Sequence, residues 1–494
     1  FRPISGAAVT WSVSPPLAGY SIDANGVLTL SAGAQVQRVA IVAQSGSATA
    51  EVSFATLPAV PPAIESSWIN PAGGEWSVAG NWQDNAIANG ADQTATVALS
   101  TGVIIHQGDS SRTIGHLAFS NGNHTIQGNP LTMDVTSGTP GVSVAGSTTS
   151  TIAVSLLGND GLRKDGSGTL ALTAVNSFGG GTTIDGGTLE LRGASGGTGL
   201  INGAVTVNSG GTLSLTGGDG TGFGWNNTIS GLTVNGGSVS APGGSHLGFG
   251  SYVNVAMNGG ASMSGNWQWN GDGLLGFTSS GDNANLITGS LVLRSDGGSN
   301  HTFNVADGTA ATDLKLDAVL SDQWPEVGWV PASALTKTGV GTMEVNGPNS
   351  YDGGTTVNGG TLVVGTFGTL GGGNLTVNPG AVCEIRNTAG GIADPASIYL
   401  NGTGALILAS GLNETVARLH VDNLAMAPGT YTAATHPAII GGGGSLVVTE
   451  GASAAPSALA ASVVSADSIQ LSWTDNASDE TGFVVERSTE SGSG

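Results

Sequence analysis

The sequence predicts an all-β protein: a β-solenoid of stacked coils, flanked at each end by a cut β-sandwich module. Three observations predict it. Leu162 to Leu191, LRKDGSGTLALTAVNSFGGGTTIDGGTLEL, recurs without a gap as Leu335 to Val364, LTKTGVGTMEVNGPNSYDGGTTVNGGTLVV. Within each copy, apolar residues alternate with polar ones at a period of two, the mark of half-buried strands. The chain carries 84 glycines among 494 residues, with no collagen-like triplet, so glycine serves as the bend residue between short strands.

The repeat comes first in the argument. Leu170 and Leu172 share one strand face, and Thr169, Ala171 and Thr173 share the other. Ile184 alternates with Thr183 and Asp185; after Gly186 and Gly187, Leu189 and Leu191 alternate with Thr188 and Glu190. The unit reads as strand, bend, strand, bend, strand. One such unit cannot bury its apolar face alone, whereas stacked units can. The second copy replaces Asp185 by Asn358 and Glu190 by Val363 but keeps the alternation and the glycines. What recurs is stacking geometry, so the stretch reads as architecture, with any activity placed in the loops that interrupt it.

Taken in order, residues 1–57 form a separate module. Short strands at Val9 to Thr10 and Trp11, Tyr20 to Ile22, Val27 to Leu30, Val36 to Ala43 and Ala48 to Phe54 suit a small sandwich with Trp11 as its core anchor. Residues 58–65, PAVPPAIE, are a stiff Pro-rich linker. The solenoid is placed at residues 66–449. Trp68, Trp76 and Trp82 open it, on a segment rich in Gly, Asn and Pro. They suit either a cap over the open end of the core or a sugar-stacking platform; the cap is favoured because a terminal coil exposes an unpaired edge.

From Thr94 to Thr449 the strand-and-glycine rhythm has no helical period. Thr169, Thr188 and Thr212 mark coils of about 20–25 residues, a β-helix length, and stacking at ~4.8 Å gives a rod of roughly 70–90 Å. A T-V-N-x-G strand follows each repeat, with Val207, Val234 and Val377 in equivalent places. Two stretches stand out as interruptions: Trp225 to Asp272, and Asp317 to Pro331 with Trp324 and Trp329. Residues 450–456 are a linker, and residues 457–494 begin a second sandwich-like module around Trp473. Both terminal modules look cut, so the chain reads as a window on a longer polypeptide.

The net charge of −22, with only 12 Lys and Arg, argues against nucleic acid or anionic lipid as partners. No run approaches the ~18 apolar residues of a membrane helix. The single cysteine, Cys383, sits in a strand-like AVCEI context and reads as a small buried residue, so no disulfide framework is possible. His106, His116, His124, His246, His301, His420 and His436 make no metal-binding pair in sequence. No nucleophile elbow or phosphate loop is present. No cofactor and no catalytic residue is expected. Asp313, Asp317, Asp322 and Glu326 lie close together, and alternation would put Asp313 and Asp317 on one face; solvated strand carboxylates explain them better than catalysis. Trp267 and Trp269 are the glycan-binding candidates, because two rings on one strand side lie about 6.6–7 Å apart and can stack on successive sugars; a packed cluster under a long loop is the favoured alternative.

The paired stretches resemble autotransporter-associated β-strand repeats. Lys164 and Lys337, Gly168 and Gly341, Asn176 and Asn349, and Gly187 and Gly360 occupy the family's positions. The resemblance implies a right-handed parallel β-helix, exported and displayed on the bacterial surface, whose repeats carry no catalytic residues. The tWSVs, sIDanGvLtl pattern of residues 1–57 resembles bacterial Ig-like domains of group 2, and DNASDETGFVVERS resembles the first strands of a fibronectin type III domain. The expected function is therefore a non-catalytic structural or adhesive segment of an extracellular or outer-membrane-associated protein. Extracellular polysaccharide or other surface proteins are the expected partners. A carbohydrate-binding module, or a polysaccharide lyase or hydrolase, is the alternative.

Overall fold

The computed structural model describes residues 9–14, 20–24, 28–30, 38–45, 47–55, 65–193, 198–222, 227–247, 253–270, 274–294, 300–322, 332–451, 456–476 and 485. Among these there is no α-helix; strands are joined by turns and two short 3-10 turns, Ala79–Asn81 and Gln83–Asn85.

Two long parallel sheets carry the body. The second of them holds 16 strands, from Gly74–Glu75 to Ile440–Gly442, which at ~4.8 Å per strand makes a stack roughly 70 Å long. The first runs from Glu65–Trp68 to Arg418–Val421. The chain alternates between them coil by coil, the first sheet using two short strands per coil over residues 131–165, and strands of successive coils pair parallel. Thr169 stands beside Thr188 and Thr188 beside Thr212, as the marker threonines predict. This is a β-solenoid.

The interior follows from the alternation. Leu213, Val239, Met263, Ile287, Leu316 and Val345 form one column of partnered inward residues, all buried. Burying each such side chain contributes about 1.5–3 kcal/mol, and no coil does so without its neighbours. Outward positions in the same strands are mostly Ser, Thr, Asn and charged residues, with Leu286, Val292 and Val319 among them as apolar exceptions.

The repeat contains four strands, not three. Leu162–Asp165 pairs with Thr182–Ile184 in the first sheet, and Thr169–Leu172 pairs with Gly187–Leu191 in the second. Leu162–Asp165 is not legible as a strand because one of its two inward residues, Lys164, is charged. The expected interruption at Trp225 to Asp272 is also corrected. Strands Ile229–Asn235, Ser238–Leu247, Val253–Asn258 and Ser262–Asn270 continue both sheets through it. Their outward Ser and Asn residues obscure an inward series of Val and Met. Strand Leu314–Ser321 likewise carries the second sheet across Asp317; Trp324, Glu326 and Trp329 lie outside the described residues.

Each end of the stack is covered. Trp68, Trp76 and Trp82 are buried, with ring centroids 5.2 Å and 4.9 Å apart in edge-on contacts. Their indole N–H groups donate to the carbonyls of Asn70, Ala88 and Trp76 at 2.8 Å, so three large rings enter the core with no polar cost. At the other end, Asn413–Val416, Ser445–Val448 and Gly429–Thr432 form a separate small sheet.

Outside the stack, Thr10–Ser14, Arg38–Ser45 and Ala48–Ala55 form an antiparallel sheet beside a Tyr20–Ile22, Leu28–Leu30 hairpin. Ser457–Ser465 and Ser468–Thr474 form an antiparallel hairpin.

Candidate functional site

The repeats place charged and polar groups inside the solenoid. Lys164 and Lys337 are fully buried. The Lys164 ammonium donates to the carbonyls of Asp165, Gly166 and Gly186 at 2.7, 3.0 and 2.9 Å. Lys337 repeats the cage with Thr338, Gly339 and Gly359 at 3.1, 2.8 and 3.0 Å. Each lysine satisfies corner carbonyls of two successive coils. Burial lowers both lysine pKa values to about 8.

The asparagines work in the same way at another corner. Asn176 Oδ1 accepts the Leu156 N–H at 2.8 Å, and its Nδ2 donates to the Leu200 carbonyl at 2.8 Å, tying three coils. Asn349 does the same between Leu320 N–H and the Thr369 carbonyl, both at 2.8 Å. The aromatic two residues on is buried in each copy, Phe178 and Tyr351, and the Tyr351 hydroxyl meets Thr355 Oγ1 at 2.7 Å. Sequence reading recognised these positions but not their burial; their recurrence was the available signal.

The glycan candidates are corrected. Trp267 and Trp269 do share a strand face, but it is the inner one, and both are buried. Trp269 stacks on Phe277 at 5.1 Å and on Phe303 at 5.4 Å. A period of two tells which residues face together, not which way they face. Rings packed in the core offer no face to a sugar.

The acidic candidates separate as well. Asp317 is outward, paired with Lys315 at 3.1 Å. Asp313 precedes the strand and turns in; its oxygens accept the N–H groups of Gly308 at 2.8 Å and Thr342 at 2.7 Å. They do not form a paired-carboxylate site. The histidines are scattered: His246 bonds Asp219 at 2.7 Å, His124 reaches the Ser120 carbonyl, and His420 stacks on Tyr399 at 4.6 Å. Among the described residues no three His, Cys, Asp or Glu are placed to hold a metal ion. Cys383 is buried, which pushes its thiol pKa up and leaves it unreactive.

What the outer surface presents is periodic. On the first sheet Thr183, Thr206 and Thr233 stand side by side, with Ala256 and Thr278 following. Two residues along, Asp185, Asn208, Asn235, Asn258 and Ser280 are linked by hydrogen bonds of 2.6, 3.0, 2.9 and 2.6 Å. Asn358, Asn378 and Asn401 form a second amide ladder at 2.6 and 2.9 Å. These ladders order side chains that would otherwise be mobile, so the face is flat and polar. Beside the second repeat lies a groove of about 450 Å³, bordered by Asp352, Thr369, Gly372 and Ile392.

Residues 162–191 and 335–364 match the family model described as passenger-associated-transport-repeat. These two stretches are similar to passenger-associated-transport repeats. It is also similar to the Adhesin BmaC autotransporter of Brucella suis biovar 1 (strain 1330), 32% identical over 215 residues. That stretch is 41% of this chain and 6% of the adhesin's length, so the chain spans a small part of that relative. No solved structure matches. The likeness to known proteins thus covers the two repeat stretches and part of one autotransporter adhesin. No helix among the described residues is long and apolar enough to cross a membrane.

Proposed function

We propose that this chain is part of the displayed body of a surface adhesin, with the solenoid as its stalk and its ladder-bearing face as the interaction surface. The carrying observation is the unbroken stack of parallel coils whose chemistry is spent on holding the coils together. The repeat lysines and asparagines are consumed by backbone groups, which leaves ordered hydroxyl and amide rows as the surface available to a partner. The adhesin relative supports the same reading. Its coils are inferred to wind right-handed, as crossovers between parallel strands of one sheet do. The strands of residues 1–57 and 457–494 are inferred to belong to Ig-like and fibronectin type III-like modules.

The test is a bead-adhesion assay with the purified chain. Coated beads should be retained on polysaccharide-coated or matrix-protein-coated surfaces, and Thr206→Glu/Thr233→Glu should reduce retention while the circular dichroism spectrum stays that of a β protein. Retention no better than that of bare beads overturns the adhesive reading. Turnover of acidic polysaccharides by the chain overturns the non-catalytic one.

A further inference from the structure

Three carboxylates among the described residues are buried: Asp313, Asp322 and Glu414. Two are fully accounted for. Asp313 accepts one backbone N–H on each oxygen, and Glu414 accepts Gly391 N–H at 2.9 Å on one oxygen and Ile392 N–H at 3.1 Å on the other. Asp322 differs. Its Oδ2 takes two N–H groups, from Ser333 at 3.1 Å and Asp352 at 2.8 Å, while its Oδ1 is buried with no partner.

A second orphan lies at the same corner. Ser333 is fully buried, and its Oγ also has no partner. The Ser333 N–H bonds the Asp322 carboxylate, so the hydroxyl and the free carboxylate oxygen belong to one small knot. Asp352, held to that carboxylate through its own N–H, brings a second, exposed carboxylate. No ion pair neutralises Asp322, and residues 323–331, QWPEVGWVP, which join Asp322 to the segment before Ser333, contain no Lys, Arg or His. A buried carboxylate without a countercharge costs several kcal/mol, and an orphaned buried polar atom in a well-packed protein marks a missing water or ion.

We infer that Asp322 Oδ1 and Ser333 Oγ are the protein ligands of a hard divalent cation, calcium by preference, with the Asp352 carboxylate and solvent completing its shell. The donor set is oxygen alone, which selects calcium or magnesium over zinc or copper. An irregular set of oxygen ligands suits calcium's flexible coordination better than magnesium's strict octahedron. The site sits beside the groove, at the coil that leads into the second repeat.

The experiment is calorimetric titration of the chelator-stripped chain with CaCl2, with MgCl2 as a second arm. One calcium per chain is expected, with a dissociation constant of about 10⁻⁴–10⁻³ M, as in extracellular modules, and weaker binding of magnesium. Asp322→Asn keeps an oxygen for both N–H groups and removes the charge; it should weaken calcium at least about tenfold. Ser333→Ala should weaken it with the fold intact by circular dichroism. The absence of calcium heat in the wild type, or unchanged calcium binding in a folded Asp322→Asn or Ser333→Ala chain, overturns the inference. So does a tighter magnesium site.

Discussion

The Lys337 ammonium donates a 3.0 Å hydrogen bond to the carbonyl of Gly359 one coil further on, and Lys164 holds Gly186 at 2.9 Å in the same way. A charge sits in the core because three corner carbonyls converge there and the ammonium donates to all of them. Lys337→Met would fill most of the volume and leave those carbonyls without a donor. At ~1–3 kcal/mol per orphaned group, partly relieved by removing the charge, a loss of about 2–4 kcal/mol is expected. Hydrogen exchange should show it first in Thr355–Val357 and Thr361–Val364, because a solenoid loses stability locally. Unchanged protection there would refute the clamp.

The same lysines set a pH dependence. Burial lowers each from 10.5 to about 8, so the folded chain releases protons that the unfolded chain still holds. Between about pH 8 and 10.5 the unfolded state binds more protons, and stability rises with pH. The urea midpoint of the wild type should therefore rise over this window relative to that of a Lys164→Met/Lys337→Met chain. A parallel pair of pH profiles would count against it.

Much of the fold is legible because it rests on alternation. Leu213, Leu215 and Val239 point inward wherever the strand begins, and coil spacing follows from Thr169, Thr188 and Thr212. Less legible are features set by neighbouring coils. Lys164 breaks the apolar pattern of its strand because its partners are carbonyls of another coil. Trp267 and Trp269 leave a packed cluster and a sugar platform both open in sequence, because alternation puts the two rings on one side of the strand without saying which side is the core. Asp313 lies where the strand begins, and there the backbone turns its side chain in.

Trp269 tests the correction of the glycan site. Its ring packs against both Phe277 and Phe303, which also touch each other, so Trp269→Ala opens a cavity and should cost about 3–5 kcal/mol. Trp269→Phe keeps most of the packing and should leave any glycan binding as in the wild type. A glycan array on which Trp269→Phe loses binding while its melting temperature holds would restore the surface reading.

Gly360 and Gly380 separate two roles of glycine. Both have left-handed backbone, with φ of 61° and 80°. A Cβ on Gly360 would press on the Gly341 carbonyl of the preceding coil, whereas Gly380 has open space around it. Gly380→Ala should cost ~1–2 kcal/mol from backbone strain alone, and Gly360→Ala should cost more, because the coil must also move apart. Equal urea midpoints for the two variants would show that close stacking at the repeat corner is not needed.

Glu414 joins the small terminal sheet to the last coils by accepting the N–H groups of Gly391 and Ile392. Burial outweighs these bonds and raises its pKa above the ordinary 4.5. The folded state therefore holds a proton that the unfolded chain gives up. This contribution is complete below pH 4.5 and is lost as pH rises through the folded value. Acidification from neutrality should thus strengthen protection of Asn413–Val416 and Ser445–Val448, measured as exchange rates corrected for the intrinsic pH effect. Glu414→Gln is neutral at every pH and should remove the dependence. If the variant keeps the same pH response as the wild type, another group controls this end of the solenoid.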